Sequence, residues 1–363
     1  MVLKFTNIFS ILVLLVINFS CKDNITGQLK TKEDLNYKWT IDTLYYTPNP
    51  QTNGDTFVND IWGANDSCVF AVGHDVLGGR GSIWKFNGKE WQREKIFKNE
   101  GGTFTQALSL NGLMGFTNNN IYAFGVHVYS NSNPPPILID SALIIHYDGN
   151  LWKEIPAPNG SIIYKGAAVS PIDFYCGGSN GQLYHYNFGR WKIDTIKLSQ
   201  FPELPFYNIS VESYKNNEVY IETVQYNPNN GLIYYQFLLY TENGVTILDS
   251  TTSITPKWGT NSFWQSPSGK LFSAGTNGIY LFEKNMWNKF NSMETISSIY
   301  GTNDNHIFAL GVSGKLYFYN GTTWNVIATI ASNYPVYGRI WCTNSSIFIA
   351  IPLNGRTLVY HGL

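Results

Sequence analysis

The sequence predicts an all-β chain, a seven-bladed β-propeller whose last blade is completed by a strand from the N-terminus. Three observations predict it. The phrase "NDIWGANDSCVFAVG" at 59–73 returns six more times along the chain. A second phrase, with a tight turn and then a tryptophan, follows most of these copies. Beyond the first twenty residues no sustained apolar pattern recurs at i, i+3, i+4 and i+7, so helices are not expected.

The copies run in order. Anchored on Gly63 and on Val69 six residues later, the phrase recurs as "GLMGFTNNNIYAFG" (112–125) on Gly115 and Ile121. It returns as "GAAVSPIDFYCGG" (166–178) on Ala168 and Phe174, and in degenerate form as "VESYKNNEVYIETV" (211–224) on Ser213 and Val219. Then come "SFWQSPSGKLFSAG" (262–275) on Gln265 and Leu271, and "SSIYGTNDNHIFALG" (297–311) on Gly301 and Ile307. The last, "RIWCTNSSIFIAI" (339–351), is shorter by about one residue. Anchors lie between 36 and 53 residues apart, the period of a four-stranded propeller blade.

Each unit reads as four strands. The first ends near Gly63, and the Asn-Asp stretch turns the chain. The second, 69–72, is apolar along its length, as suits a strand covered on both faces. The third, 83–86, runs into Asn87-Gly88, and Asp148-Gly149 and Asn320-Gly321 repeat that pair, which favours a type I′ hairpin turn. The fourth carries Trp91, Trp152, Trp191, Trp287 or Trp324, each expected to bury roughly 150–250 Å² against the next blade. Blade four has Val245 at that place. The seventh copy stops at "TLVYHGL" (357–363) with three strands and no tryptophan; "NYKWTIDTL" (36–44) supplies the fourth, with Trp39. Closing the ring in this way removes an open sheet edge.

Composition narrows the partners. The chain is 44% hydrophobic and only 13% charged, with a net charge of −1. That excludes nucleic acid and acidic membrane surfaces, both of which need a basic excess. Cys68, Cys176 and Cys342 fall at different positions of the repeat, so they build no repeated disulfide or metal framework and read as buried thiols. His146 and His185 share one third-strand position, while His74 and His127 closely follow the conserved glycine. These histidines read as hydrogen-bonded or surface groups, and neither a metal nor another cofactor is predicted. No phosphate-cradling loop or nucleophile elbow stands out.

The N-terminus is separate. Residues 1–4 are positive, and 8–17 form an apolar run too short to span a bilayer. The run ends in Asn18-Phe19-Ser20-Cys21, which resembles the signal peptide of a bacterial lipoprotein, although Asn18 stands where that motif has Leu. Lys22-Asp23 resembles the charged start of surface lipoproteins in Bacteroidota. The resemblance implies a signal peptide over 1–20, lipidation of Cys21, a polar tether over 21–35 and the propeller over 36–363. It implies anchoring to the bacterial outer membrane, on the periplasmic or surface-exposed side. Each buried CH₂ of the acyl chains would contribute about 0.8 kcal/mol, so two or more chains hold stably.

The repeats themselves resemble bacterial exported propellers written "IWG…AVG…GxIxxYDGxxW", a group similar to WD40-like and photosystem-assembly-factor-like propellers. The resemblance covers 36–363 and specifies a fold, not a chemistry. "YDGNLW" (147–152) is similar to the Asp-box turn of sialidases but lacks the residue between Asp and Gly, and only five arginines are present to form a carboxylate-binding cluster.

Loop lengths point to a functional face. Between strands two and three, blade one inserts "HDVLGGR" (74–80), blade two "VHVYSNSNPPPILIDS" (126–141) and blade four "QYNPNNG" (225–231). The long inter-blade linkers at 97–111 and 197–207 emerge on the same face. Loops on a rigid scaffold carry function disproportionately. The expected function is a non-catalytic envelope lipoprotein that binds or scaffolds a protein or glycan through this face. Asp75, Arg80, His127, Tyr129 and Tyr226 are the expected contacts. The alternative is a glycan hydrolase or lyase acting at the same face, which would need two acids converging in a cleft.

Overall fold

The computed structural model describes residues 29–31, 37–46, 56–75, 80–104, 107–130, 137–160, 162–197, 208–291, 293–330 and 332–363. Seven antiparallel sheets form the seven blades of a propeller, each beginning with its innermost strand. Blade one comprises Thr56–Asn65, Cys68–Asp75, Arg80–Phe86 and Trp91–Arg93. Blade four has long second and third strands, Glu218–Asn227 and Leu232–Thr241, of 10 residues each.

The ring closes as the sequence predicts. Trp39–Leu44 pairs antiparallel with Arg356–Gly362, in register from Trp39 opposite Gly362 to Leu44 opposite Thr357. Lys38 and Leu363 exchange backbone hydrogen bonds of 2.8 and 3.1 Å at the seam. Two outer edges gain a further strand. Leu29–Thr31, inside the segment read as a tether, pairs antiparallel with Ile330 to Ala328 of blade six. Ile96–Phe97 of the first linker pairs parallel with Trp152 and Lys153 of blade two. Each covers an edge that would otherwise offer unpaired N–H and C=O groups.

The core lies between blades, with second strands buried on both faces. In Cys68–Asp75 all but His74 are buried. The conserved Trp-Gly pair is explained here. The tryptophan before one blade's anchor lies against the anchor glycine of the next blade. A Cβ on Gly63 would fall 2.6 Å from Trp341 Cη2, and one on Gly301 would fall 2.9 Å from Trp264 Cη2; Gly115 faces Trp62 in the same way. These glycines are kept for close approach, not for backbone freedom. Where the residue before an anchor is smaller or polar, the next anchor carries a side chain: Met114 precedes a blade anchored on Ala168, and Ala167 one anchored on Ser213.

The fourth-strand tryptophans differ from expectation in one respect: they pack on the preceding blade, not the next. Trp152 lies 5.5 Å from Phe70 of blade one, Trp287 4.9 Å from Phe237 of blade four, and Trp91 6.2 Å from Phe348 of blade seven. A period of two shows that one face of a strand is buried, not which neighbour buries it. Blade four, lacking its tryptophan, leaves Val245 40% exposed. Its junction with blade three is held instead by phenol–carboxylate bonds, Tyr240 Oη to Asp194 Oδ2 at 2.5 Å and Tyr214 Oη to Asp173 Oδ2 at 3.2 Å. Cys68, Cys176 and Cys342 are buried free thiols, and burial pushes each above the usual thiol range.

Candidate binding site at the channel mouth

Antiparallel alternation puts the loops between strands two and three on the same face as the linkers that enter each first strand. Along the inner strands the central channel forms a funnel-like cavity of about 650 Å³, which His74 at the second-to-third-strand loop and the entering linker at Thr260 and Asn261 also line. Its wall is written three residues before each anchor: Asp60, Gly112, Lys165, Ser210, Ser262, Ser298 and Arg339, one per blade, all line it.

Most of these positions, with the residue just before them, latch one blade to the next. Asn59 Nδ2 donates to Leu110 O at 2.7 Å, Asn111 Nδ2 to Ile163 O at 2.9 Å and Asn261 Nδ2 to Ile296 O at 2.9 Å. Asp60 Oδ2 accepts from Leu113 N at 2.8 Å, Ser262 Oγ from Ile299 N at 3.2 Å and Ser298 Oγ from Ile340 N at 3.1 Å. Arg339 Nε joins blade seven to blade one by donating to Asn59 O at 2.9 Å. Each latch satisfies backbone groups that a tightly closed channel would otherwise leave without partners.

Two junctions are built differently. Between blades three and four, Lys165 Nζ pairs with Glu212 Oε2 at 2.6 Å and lies 5.9 Å from the ring centre of Phe263. Between blades four and five, Trp258 Nε1 donates to Glu222 Oε1 at 2.9 Å. Glu212 and Glu222 are 7% and 4% exposed and both line the funnel. Burial, and then the neighbouring Glu212 carboxylate, push Glu222 well above the usual glutamate range; Trp258 and Lys165 offset this only in part. Burial also raises the Asp60 carboxyl, against the opposing pull of the Leu113 N–H, Arg339 and Lys165. His74 lines the funnel too, and burial lowers its imidazole below the usual range. The site therefore presents an ion pair, a buried carboxyl pushed towards its protonated form, and hydroxyl and amide groups beside apolar wall.

Of the residues singled out in the sequence, Asp75, His127, Tyr129 and Tyr226 do not line this funnel. Asp75 is 2% exposed, bonded to Arg93 Nη2 at 2.5 Å and Thr56 Oγ1 at 2.9 Å, so its carboxylate is engaged inside blade one. Arg80 pairs with Asp75 across the hairpin, and its side chain lies outside the described residues. His127 sits between Phe104 and Tyr129, at ring-centre distances of 5.3 and 5.6 Å, and burial lowers its imidazole. Tyr226 is 51% exposed on the rim of blade four. Ile137 and Leu138, at the start of blade two's third strand, are 59% and 73% exposed on the same face. Cys21 lies outside the described residues. Elsewhere His146 Nε2 meets Asn120 Oδ1 at 2.9 Å and His185 Nε2 meets Asp173 Oδ1 at 2.8 Å. Among the described residues no group of three His, Cys, Asp or Glu side chains is placed to hold a metal ion.

The inner-strand charges were missed because the copies agree on apolar letters and vary at the wall. Their signal lies in that variation: Lys165, Glu212 and Glu222 are charges written inside strands that are otherwise apolar or hydroxylic.

No protein-family model and no curated protein matches the chain. Solved structures do share its fold. YCF48 bound to D1 peptide superposes with a TM-score of 0.54 at 14% identity, over 90% of this chain and 98% of that one. The WD40 β-propeller domain of Doa1 gives 0.54 at 10% identity, over 89% and 96%. The extracellular domain of a putative hybrid two-component system from B. thetaiotaomicron gives 0.53 at 14% identity, over 88% of this chain and 40% of that one. At these identities the likeness establishes the propeller fold alone.

Proposed function

We propose that the chain is a binding or scaffolding module for a protein partner, which docks on the funnel face and is held at the bacterial outer membrane through lipid on Cys21. The observation that carries the reading is the funnel: a polar, charged cleft at the centre of the loop-bearing face of a closed ring. Ile137 and Leu138 of blade two and Tyr226 of blade four are exposed on the same face. One structure of this fold was solved with a peptide bound, a use of the propeller that this face would suit.

A glycan hydrolase would need one carboxyl to protonate the leaving oxygen and a second to act as base or nucleophile. Glu222 has the first character, but Glu212 is committed to Lys165 at 2.6 Å. That favours binding over hydrolysis.

Residues 131–137 test the docking face. Ser130 and Leu138 face each other in register, so an Asn-Gly pair can replace the intervening segment as a two-residue hairpin turn. The variant is expected to melt like the wild type yet lose the partner captured by cross-linking at the envelope. Equal capture by both proteins would remove the loop face from the proposal. Cys21→Ala tests the anchor: the protein is expected to move from the membrane fraction to the soluble one, and continued membrane fractionation would refute lipidation.

A further inference from the structure

We infer that the funnel wall formed by blades three to five is a subsite for a positively charged side chain, Lys or Arg, carried by the polypeptide that docks on this face. The inference rests on the docking proposed above and deepens it by naming the chemistry that the site recognises.

The closure of the ring does not call for carboxyls here. Five junctions are latched by amide or hydroxyl groups, an aspartate bonded to backbone N–H groups, or a guanidinium bonded to a carbonyl. At the junction of blades four and five, the Trp258 indole needs only an acceptor, which a glutamine would supply without the cost of burying an acid. Glu222 is instead 4% exposed, with Trp258 on Oε1 and no hydrogen-bond partner on its second oxygen among the described residues. A carboxyl buried at the wall of a cleft, with its second oxygen unbonded, accepts from a donating ligand once that ligand holds it as the carboxylate.

The charges identify the donor. Asp60, Glu212, Glu222, Lys165 and Arg339 line the funnel, three carboxyls against two cations. Arg339 is engaged with Asn59 O and Gly338 O, and Lys165 with Glu212. An anionic ligand would have to break these pairs. An incoming ammonium or guanidinium instead makes three cations for three carboxyls and stabilises Glu222 as the carboxylate, releasing its proton to solvent. The other titratable groups in the wall are shifted away from charge by burial, the His74 imidazole below its usual range and the Tyr164 and Tyr300 phenols above theirs. A hard metal ion is a poor fit, since it requires six or more oxygen ligands and no described cluster supplies even three acidic, His or Cys groups.

The test is selection of a random dodecapeptide library displayed on phage, against the full chain and against Ser210→Trp, which fills the funnel from its wall. Peptides retained by the wild type and lost by Ser210→Trp are expected to carry Lys or Arg. Replacing that residue by norleucine or citrulline should weaken binding by about tenfold or more in titration calorimetry. Glu222→Gln should weaken it similarly while melting at or above the wild-type temperature, because the glutamine keeps the Trp258 bond and removes the cost of burying an acid. Calorimetry in two buffers of different ionisation enthalpy should show proton release on binding to the wild type and none with Glu222→Gln. Funnel-dependent peptides that lack a cation, or that bind Glu222→Gln equally well, would overturn the inference and leave the docking face standing. If wild type and Ser210→Trp retain the same peptides, the funnel is not the docking site and both fall.

Discussion

Removal of residues 1–44 is expected to abolish cooperative unfolding, whereas removal of 1–36 leaves a single transition by circular dichroism. The two truncations differ by the strand that closes the ring. Trp39–Leu44 contributes a full antiparallel ladder to blade seven, and Leu44, at 0% exposure, sits in the cluster that joins blades seven and one. Loss of a buried leucine side chain alone costs about 2–5 kcal/mol, against a total stability of about 5–15 kcal/mol for an ordinary domain. The longer truncation also exposes Arg356–Gly362, a strand buried along nearly its whole length, as a free edge. Such an edge templates association, so the truncated protein should elute as aggregate from a sizing column. A monomeric Δ1–44 chain with wild-type melting would refute closure by this strand.

The second large effect is at the seam between blades seven and one. Trp341 is 3% exposed, and its indole occupies the place where a side chain on Gly63 would stand. Trp341→Ala is expected to cost about 3–5 kcal/mol through the cavity it leaves. Gly63→Val should cost about 1–3 kcal/mol or more through overpacking. The distinguishing measurement is the double mutant, since the valine can enter the space that the indole vacates. Its loss should fall short of the sum by about 1 kcal/mol or more in urea denaturation, the signature of residues in direct contact. Simple additivity would show that the Trp-Gly pairing is not the packing unit of this ring.

Individual residues show where the sequence was legible. Seven copies, the Asn-Gly turns, the third-strand end of the chain and Trp39 at its beginning are all local or periodic signals, and the ring, its closure and its seven blades follow from them. The same repetition concealed the charged channel wall. Asp75 and His127 stand next to insertions, yet Asp75 is bonded to Arg93 within its own blade and His127 packs edge-on against Phe104. Lys165, Glu212 and Glu222 attracted none, because in a degenerate stretch a charge within a strand reads as decay of the repeat.

By itself the sequence determined the architecture, since strand period, turn chemistry and copy spacing are properties of neighbouring residues that survive in one dimension. Only the tertiary structure decided which face of each fourth strand meets which blade, and which side chains meet across the channel. Lys165 and Glu212 are 47 residues apart in the chain, and Glu222 and Trp258 are 36 apart. They converge because the closed ring turns the inner strands and entering linkers of separate blades towards one axis, and burial there pushes the Glu222 carboxyl well above the usual glutamate range.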